Sequence, residues 1–266
     1  MLTFRELTTM EEFDLVVNLQ QTVWSMSPDH ANPNHTLKAV VHSGGSVIGA
    51  DMDGRIVGFA LALVARRDNE FYVWSDMAGV DPRYQGHGIG WGLKQAQRQW
   101  ALKQGYDAIR WTFDPLQRGN ANFNLNKLGA YSDAYHVNFY GNMGDTINMG
   151  LPSDRLEITW RLNDSRVIAL AAGETSTPSA EDDDPVAFLV KGHTLNIPES
   201  PLNRAQYLVE IPYDLKALKQ SQMELAIHWQ KSVRDAMTHA FDQGYSAVDF
   251  AYKKNRCWYI LESRLG

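Results

Sequence analysis

The chain has 266 residues, 44% of them hydrophobic and 21% charged, the balance of a globular protein with room for two modest domains or one large one. A net charge of -6 argues against a nucleic-acid partner, since a phosphate backbone is met by a basic surface. The longest apolar run, Ile56 to Ala65, is too short to cross a bilayer, and the opening Met-Leu-Thr-Phe-Arg-Glu lacks a charged-then-apolar leader pattern.

Thr8-Thr9-Met10-Glu11 fits a capping box, and Phe13, Val16, Val17, Val23 and Trp24 follow it as a helical stripe. Residues 25–44 are rich in Pro, Asn, His and Ser and predict a loop with one helical turn near Leu37 to Val41. His30 and His35 fall in this loop. The eight histidines include no His-Glu-x-x-His and the chain no Cys-x-x-Cys, so no metal site is expected. Val47 to Met52 reads as a strand, Asp53-Gly54 as a hairpin turn, and Ile56 to Ala65 as a return strand apolar enough to be buried on both faces. Asp68-Asn69 makes a second turn into the strand Phe71 to Val80. In that strand Asp76 shares a face with Tyr72, Trp74, Ala78 and Val80, and a carboxylate among aromatics is costly unless paired or put to use.

After this strand comes Asp81-Pro82-Arg83-Tyr84-Gln85-Gly86-His87-Gly88-Ile89-Gly90, and then Ile89, Leu93, Ala96 and Trp100 recur at helical spacing. Strand, glycine-rich turn and helix place backbone N–H groups at a helix N-terminus, where unpaired donors and the dipole both favour an anion. A P-loop would need a Gly-Lys pair followed by Ser or Thr, but Lys94 follows Leu93. A Rossmann loop would need glycine where Trp91 or Leu93 stands. Gln85-Gly86-His87-Gly88-Ile89-Gly90 fits Gln/Arg-x-x-Gly-x-Gly/Ala instead and resembles the pyrophosphate loop of the GNAT superfamily of acyl-CoA-dependent N-acyltransferases. The plain alternative is an ordinary tight strand-to-helix turn.

Gly105 closes the helix, and Asp107 to Phe113 alternates as a strand. A turn, Asp114 to Gly119, leads to Asn120-Ala121-Asn122-Phe123-Asn124-Leu125-Asn126-Lys127-Leu128-Gly129, which is similar to a second GNAT signature, a short helix ending in Lys-x-Gly. Many members carry Tyr two residues before that Lys, as general acid for the leaving thiolate; this chain has Leu125. His136-Val137-Asn138-Phe139-Tyr140-Gly141 and Asn148-Met149-Gly150-Leu151-Pro152-Ser153-Asp154-Arg155, with the Trp111 to Asp114 stretch, resemble a GNAT subgroup with a long C-terminal extension. Leu156 to Leu162 reads as a strand, and Gly173 to Pro185 as a Ser, Thr, Pro and acid-rich linker. Val186 to Val190 and Tyr207 to Ile211 read as strands, Leu225, Trp229, Val233, Ala236 and Ala240 stripe a helix, and Tyr245 to Ala251 and Trp258 to Glu262 close the chain as strands. The lone Cys257 excludes an internal disulfide and fits a reducing cytoplasm.

The resemblance implies an α/β fold, a twisted mixed sheet flanked by helices. It implies a catalytic lobe over 1–150, a connecting region over 151–172, a linker over 173–185 and a C-terminal lobe over 186–266. Strand, proline, helix and Gln-Gly-Tyr recur from Val80-Asp81-Pro82 to Gln104-Gly105-Tyr106 and from Ile211-Pro212 to Gln243-Gly244-Tyr245. This suggests a partial second GNAT-like lobe whose strands before Pro212 and after Gly244 lie adjacent and parallel. Without glycines after Pro212 that lobe should bind no coenzyme A.

As co-substrate the resemblance implies acetyl-CoA or another acyl-CoA, without a metal. Gln85, Gly86, His87, Gly88, Ile89 and Gly90 would hold the pyrophosphate, the main chain of Ala78, Gly79 and Val80 the pantetheine arm, with Asn120 and Phe123 beside it. Asp76 would be the general base, and a tyrosine, Tyr140 foremost, with Tyr131 and Tyr135 as alternatives, the general acid. Asp114 and Arg155 would meet the acceptor, Arg155 through its bidentate fork if it is not spent on Asp154. The acceptor implied is a small-molecule primary amine such as an amino acid, with no nucleic acid and no membrane as partner and with room for a homodimer. A non-catalytic acyl-CoA-binding module is the rival reading, favoured by Leu125.

Overall fold

The computed structural model describes residues 1–141, 150–175 and 187–264. Residues 142–149 and the 176–185 part of the expected linker lie outside the described residues. The chain forms two compact units, Met1–Trp111 with Arg161–Asn163, and Thr112–Trp160 with Asp164–Gly266.

In the first unit β1 (Leu2–Glu6), β2 (Ser46–Met52), β3 (Arg55–Arg67) and β4 (Glu70–Val80) run antiparallel in that order, and β5 (Ala108–Phe113) joins β4 in parallel. Both hairpins have left-handed central residues, Asp53 (φ 53) with Gly54 (φ 84) and Asp68 (φ 50) with Asn69 (φ 66). Their twist matches that of the strands they join. α1 (Met10–Trp24) and α2 (Asn34–His42) bury Phe13, Val16, Leu19 and Leu37 with Leu7, Val47, Phe59 and Leu61. α3 (Ile89–Lys103) covers the other face: Leu93 and Ile89 come against Gly58, while neighbouring Phe59 meets Trp24 of α1 edge-on. Gly92 lets α3 approach β1 closely, since a Cβ there would lie 2.1 Å from the Phe4 ring.

Three expectations change here. The capping box sits one residue later: Thr9 is the N-cap, Glu12 N donates to Thr9 Oγ1 at 3.3 Å, and the Glu12 carboxylate accepts from Thr9 N at 3.0 Å. Both registers satisfy the pattern, and the ion pair of Glu12 with Arg5 favours the later one. The helical turn near Leu37 is a full helix, because buried Leu37 anchors it to the core despite its polar first turn. The buried face of α3 includes Ile89, Leu93 and Trp100, but polar Lys94 and Gln97 are buried too, and Ala96 only partly.

The second unit contains α4 (Arg118–Ala121), a π-helical turn (Asn122–Lys127), β6 (Tyr131–His136), β7 (Arg155–Arg161), α5 (Ser165–Ala171), β8 (Phe188–Lys191), β9 (Thr194–Leu195), β10 (Gln206–Ile211), α6 (Leu215–Ser221), α7 (Met223–Asp242), β11 (Tyr245–Lys253) and β12 (Arg256–Ser263). Its strands follow the order β7-β6-β11-β12-β10-β8-β9, mixed because β8 runs parallel to β10. Phe188, Leu208, Ala251, Trp258 and Ile260 form one core under them. The expected repeat of β4, α3 and β5 keeps its strand, helix, strand order but not its adjacency. β12 lies between β10 and β11, antiparallel to both. The short turn at Lys254 (φ 54) makes β12 the local partner of β11, which places β12 where β10 would have paired.

Candidate active site

The loop after β4 is held at its entry. Asp81, 3% exposed, accepts Arg83 N at 3.0 Å and the Arg83 guanidinium at 3.0 and 2.6 Å. The hydrogen bonds from the Arg83 side chain hold its carboxyl below the usual range. Gln85 Nε2 donates to Val80 O at 3.2 Å, and His87 Nδ1, as donor, reaches Gln85 O at 2.9 Å. Gly86 (φ 81) and Gly88 (φ 73) take left-handed conformations that a side chain would strain. Gly88 is the N-cap of α3 and supplies no side-chain cap, so the first-turn N–H groups of Ile89, Gly90 and Trp91 point out of the helix without intrahelical acceptors. A Cβ at Gly86, Gly88 or Gly90 would meet nothing within 4 Å. The chain's own packing therefore does not demand glycine there. The bare backbone instead leaves open a concave set of donors at the positive end of a fifteen-residue helix, an arrangement that fits a pyrophosphate.

Asp76 sits at a β-bulge. Leu61 pairs with Met77 and Ala62 with Ser75, so Asp76 is the extra residue of β4. The bulge breaks the alternation, and Asp76 does not share one continuous face with Tyr72 and Trp74 as expected: Tyr72 is buried and Asp76 exposed. Protein packed around the carboxyl desolvates it and raises its pKa, and the open surface limits that rise. Ala78, Gly79 and Val80 pair with Ala60, Phe59 and Gly58 on the β3 side, and the Gly79 backbone lies against Trp24, which a Cβ would approach to 2.8 Å. The β5 register pairs Val73 with Ile109 and Trp74 with Arg110, so Ala78 to Val80 lie beyond it.

Sequence reasoning missed Lys94. It is 4% exposed, and its Nζ donates to Ser75 Oγ at 3.0 Å and to Gln97 Oε1 at 2.7 Å, 3.8 Å from the Trp111 ring centroid. Burial lowers its pKa to about 7. The available signal was Lys94 and Gln97 at i, i+3 between Leu93 and Trp100, polar positions inside an apolar stripe.

In the second unit Asp114, Arg155 and Tyr140 come together. Asp114 accepts Leu116 N at 2.9 Å and Gln117 Nε2 at 3.3 Å; burial raises its pKa, against the opposing field of Arg155. The Arg155 guanidinium lies 5.3 Å from the Tyr140 ring centroid, and Tyr140 Oη is 3.2 Å from Thr112 Oγ1. Asp154 is engaged by Arg234 Nε at 2.8 Å and by Tyr135 Oη, which donates at 2.7 Å, so it is Arg234 that forms the bidentate pair. Burial first, then the neighbouring Asp154 charge, raises the Tyr135 phenol well above its ordinary value, which leaves it a poor proton donor beside exposed Tyr140. Asn120 is exposed on α4, Phe123 is half-buried on the π-helical turn, and Leu125 is fully buried. Asn126 ties this turn to β11, accepting from Phe250 N at 3.0 Å.

Among the described residues no cluster of three or more His, Cys, Asp or Glu is placed to hold a metal, and no helix is long and apolar enough to cross a membrane. No curated protein matches the chain. Among solved structures, the ribosomal-protein-S18-alanine N-acetyltransferase from Escherichia coli is 16% identical, with a TM-score of 0.50 over 62% of this chain and 96% of that one. An aminoglycoside acetyltransferase from an uncultured soil metagenomic sample is 20% identical, with a TM-score of 0.42 over 46% of this chain and 84% of that one. A GNAT family acetyltransferase from Elizabethkingia anophelis with acetyl-CoA bound is 16% identical, with a TM-score of 0.44 over 60% and 97%. The likeness to the Escherichia coli enzyme shows the fold alone. The family model of the GNAT acetyltransferases matches residues 10–129, which contain β4, the glycine loop, α3 and the Asn120 to Lys127 turn. Over that stretch, which is less than half of its length, the chain is similar to the GNAT acetyltransferases.

Proposed function

We propose that this protein moves an acyl group, acetyl by default, from acyl-CoA to the primary amine of a small molecule such as an amino acid. The observation that carries this reading is the loop from Gln85 to Gly90, whose glycines leave the N-terminus of α3 bare and open. In this reading the loop binds the pyrophosphate, and the main chain of Ala78 to Val80 binds the pantetheine arm beyond the β4–β5 register. Asn120 and Phe123 flank that arm. Asp76, aimed by the bulge and raised in pKa, takes the proton from the acceptor ammonium so that the amine attacks the thioester. Asp114 and Arg155 are the residues of the second unit proposed for the acceptor, Arg155 for the carboxylate of an amino acid, with Tyr140 beside them.

Gly90 has neither a left-handed backbone nor a neighbour to clash with, so Gly90→Val should fold and still fill the phosphate cradle with side chain. Isothermal titration should show acyl-CoA binding abolished, and unchanged affinity in the folded variant rejects the loop assignment. Buried Leu125, without a proton to give, favours a second reading, an acyl-CoA-binding module that does no chemistry. Thiol release across a panel of amines and acyl-CoAs separates the two, because a binding module releases none.

A further inference from the structure

Lys94 is a buried cation that the reaction described above leaves unused. Val73 pairs with Ile109 and Trp74 with Arg110, and the next residues on the two strands, Ser75 and Trp111, are bridged by the Lys94 ammonium, 3.0 Å from Ser75 Oγ and 3.8 Å from the Trp111 ring centroid. The ammonium thus lies where the β4–β5 register ends, bonded to the residue that precedes bulged Asp76. Beside it Gln97 is fully buried, and its Nε2 has no hydrogen-bond partner among the described residues. Charge and an unmet donor in an apolar interior are costly, and such expense concentrates at functional sites. On the same elements Glu70 of β4 holds Arg110 of β5 and Arg161, and Arg98 of α3 donates to Leu162 O. Asp76 is adjacent to Ser75 in sequence and is the titratable neighbour on β4.

Resting on the acyl-transfer reading, we propose that Ser75 gives the departing coenzyme A thiolate its proton and that Lys94 positions and recharges Ser75. As the acceptor nitrogen bonds to the acyl carbon and the carbon–sulfur bond breaks, the Ser75 hydroxyl proton passes to sulfur. A Lys94 N–H proton refills the Ser75 oxygen, and the neutral amine is reprotonated from solvent. The acceptor ammonium has already lost one proton to Asp76 or water, and the nitrogen releases its second to solvent as the amide forms, so protons and charges balance. The hydrogen bond has the required direction, because Ser75 Oγ accepts from Lys94 and keeps its own O–H to donate. Desolvation brings Lys94 to about 7, so its ammonium releases a proton near neutral pH, as a solvated lysine does not. This route also supplies the acid that Leu125 lacks.

The test uses the full chain and free coenzyme A, with the ultraviolet absorbance of the bound thiolate followed against pH. Cys257 does not interfere, since it is buried and its thiol is pushed up to about 12. Thiol and Lys94 titrate as a pair, the thiolate charge retaining the ammonium that desolvation alone would release, so thiolate should appear about one pH unit or more below the range of free coenzyme A. Lys94→Met should erase that shift, while Lys94→Arg should retain it without restoring the rate. In turnover, Lys94→Met and Ser75→Ala should each lower kcat by about 10²-fold with little change in KM for acyl-CoA, and Lys94→Met should lose the fall in rate on the alkaline side. If Lys94→Met does not fold, the wild-type thiol titration and Ser75→Ala decide. An unshifted thiol in wild type, wild-type kcat in folded Lys94→Met or Ser75→Ala, or an acyl group found on Lys94 by mass spectrometry overturns the proposal. Failure of coenzyme A to bind the wild type at all is a different result, and it overturns the acyl-transfer reading beneath it.

Discussion

Asp76 shows how one residue of backbone sets what a side chain can do. Strict alternation along β4 would place it behind the buried ring of Tyr72, where an unpaired carboxylate is expensive. The bulge turns it out to the exposed surface, while the surrounding protein still raises its pKa. A base that must accept a proton gains from that rise. Asp76→Asn should lower turnover by roughly 10²–10⁴-fold. Acyl-CoA affinity should hardly change, because the donors proposed for the pyrophosphate are elsewhere; steady-state kinetics with calorimetry checks both, and wild-type turnover would make Asp76 structural. The chemistry of Asp76 was legible as a carboxylate among aromatics, but the bulge was not. A bulge depends on the partner strand, here on Leu61 and Ala62, and leaves no mark in the local alternation.

At the scale of elements, α3 does two jobs with glycine. Gly88 begins the helix without covering its donors, and Gly92 on the inner face makes room for Phe4. Gly92→Ala would gain about 1 kcal/mol of helix propensity and lose about 1–3 kcal/mol by forcing a Cβ into the Phe4 ring. The net expectation is a lower melting temperature and a displaced β1, which thermal unfolding and amide exchange at Thr3 to Arg5 would report; a more stable variant would show that the Phe4 ring simply swings aside. The helices and hairpins of the first unit were legible because caps, glycines and apolar stripes are local. The length of α2 was not, since Leu37 draws its support from α1 and the sheet. Lys94 escaped because a count of apolar positions treats a polar residue on the stripe as noise.

Over the whole molecule, the ionisable groups set opposite pH trends. Asp81 has its pKa lowered by Arg83, so its stabilisation is present above the unfolded carboxylate value of 3.8 and is lost as pH falls through its folded value. Lys94 acts the other way. The unfolded chain holds this proton up to 10.5 and the folded one only to about 7, so between those values the unfolded state binds more protons and stability rises with pH. The slope from this one group reaches up to about 1.4 kcal/mol per pH unit. Lys94→Met should therefore be more stable than wild type near pH 7, with the difference shrinking towards 10.5. Denaturant unfolding at several pH values tests this, and a difference independent of pH would mean that Lys94 is not neutralised on folding. Topology was the least legible level. The strand, helix, strand order around α7 was readable, but the insertion of β12 between β10 and β11 is a choice among non-local partners, which no local pattern encodes.

The contact of Phe4 with Gly92 also has a mechanical side. β1 is zipped to β2 from Leu2 opposite Met52 to Glu6 opposite Ile48, and the Phe4 ring is keyed into the flank of α3. A load pulling on Met1 shears that zipper and drags on the helix whose first turn presents the glycine loop. The amino end is thus a handle on the loop: tension or a bulky attachment there should loosen the grip on coenzyme A proposed for it.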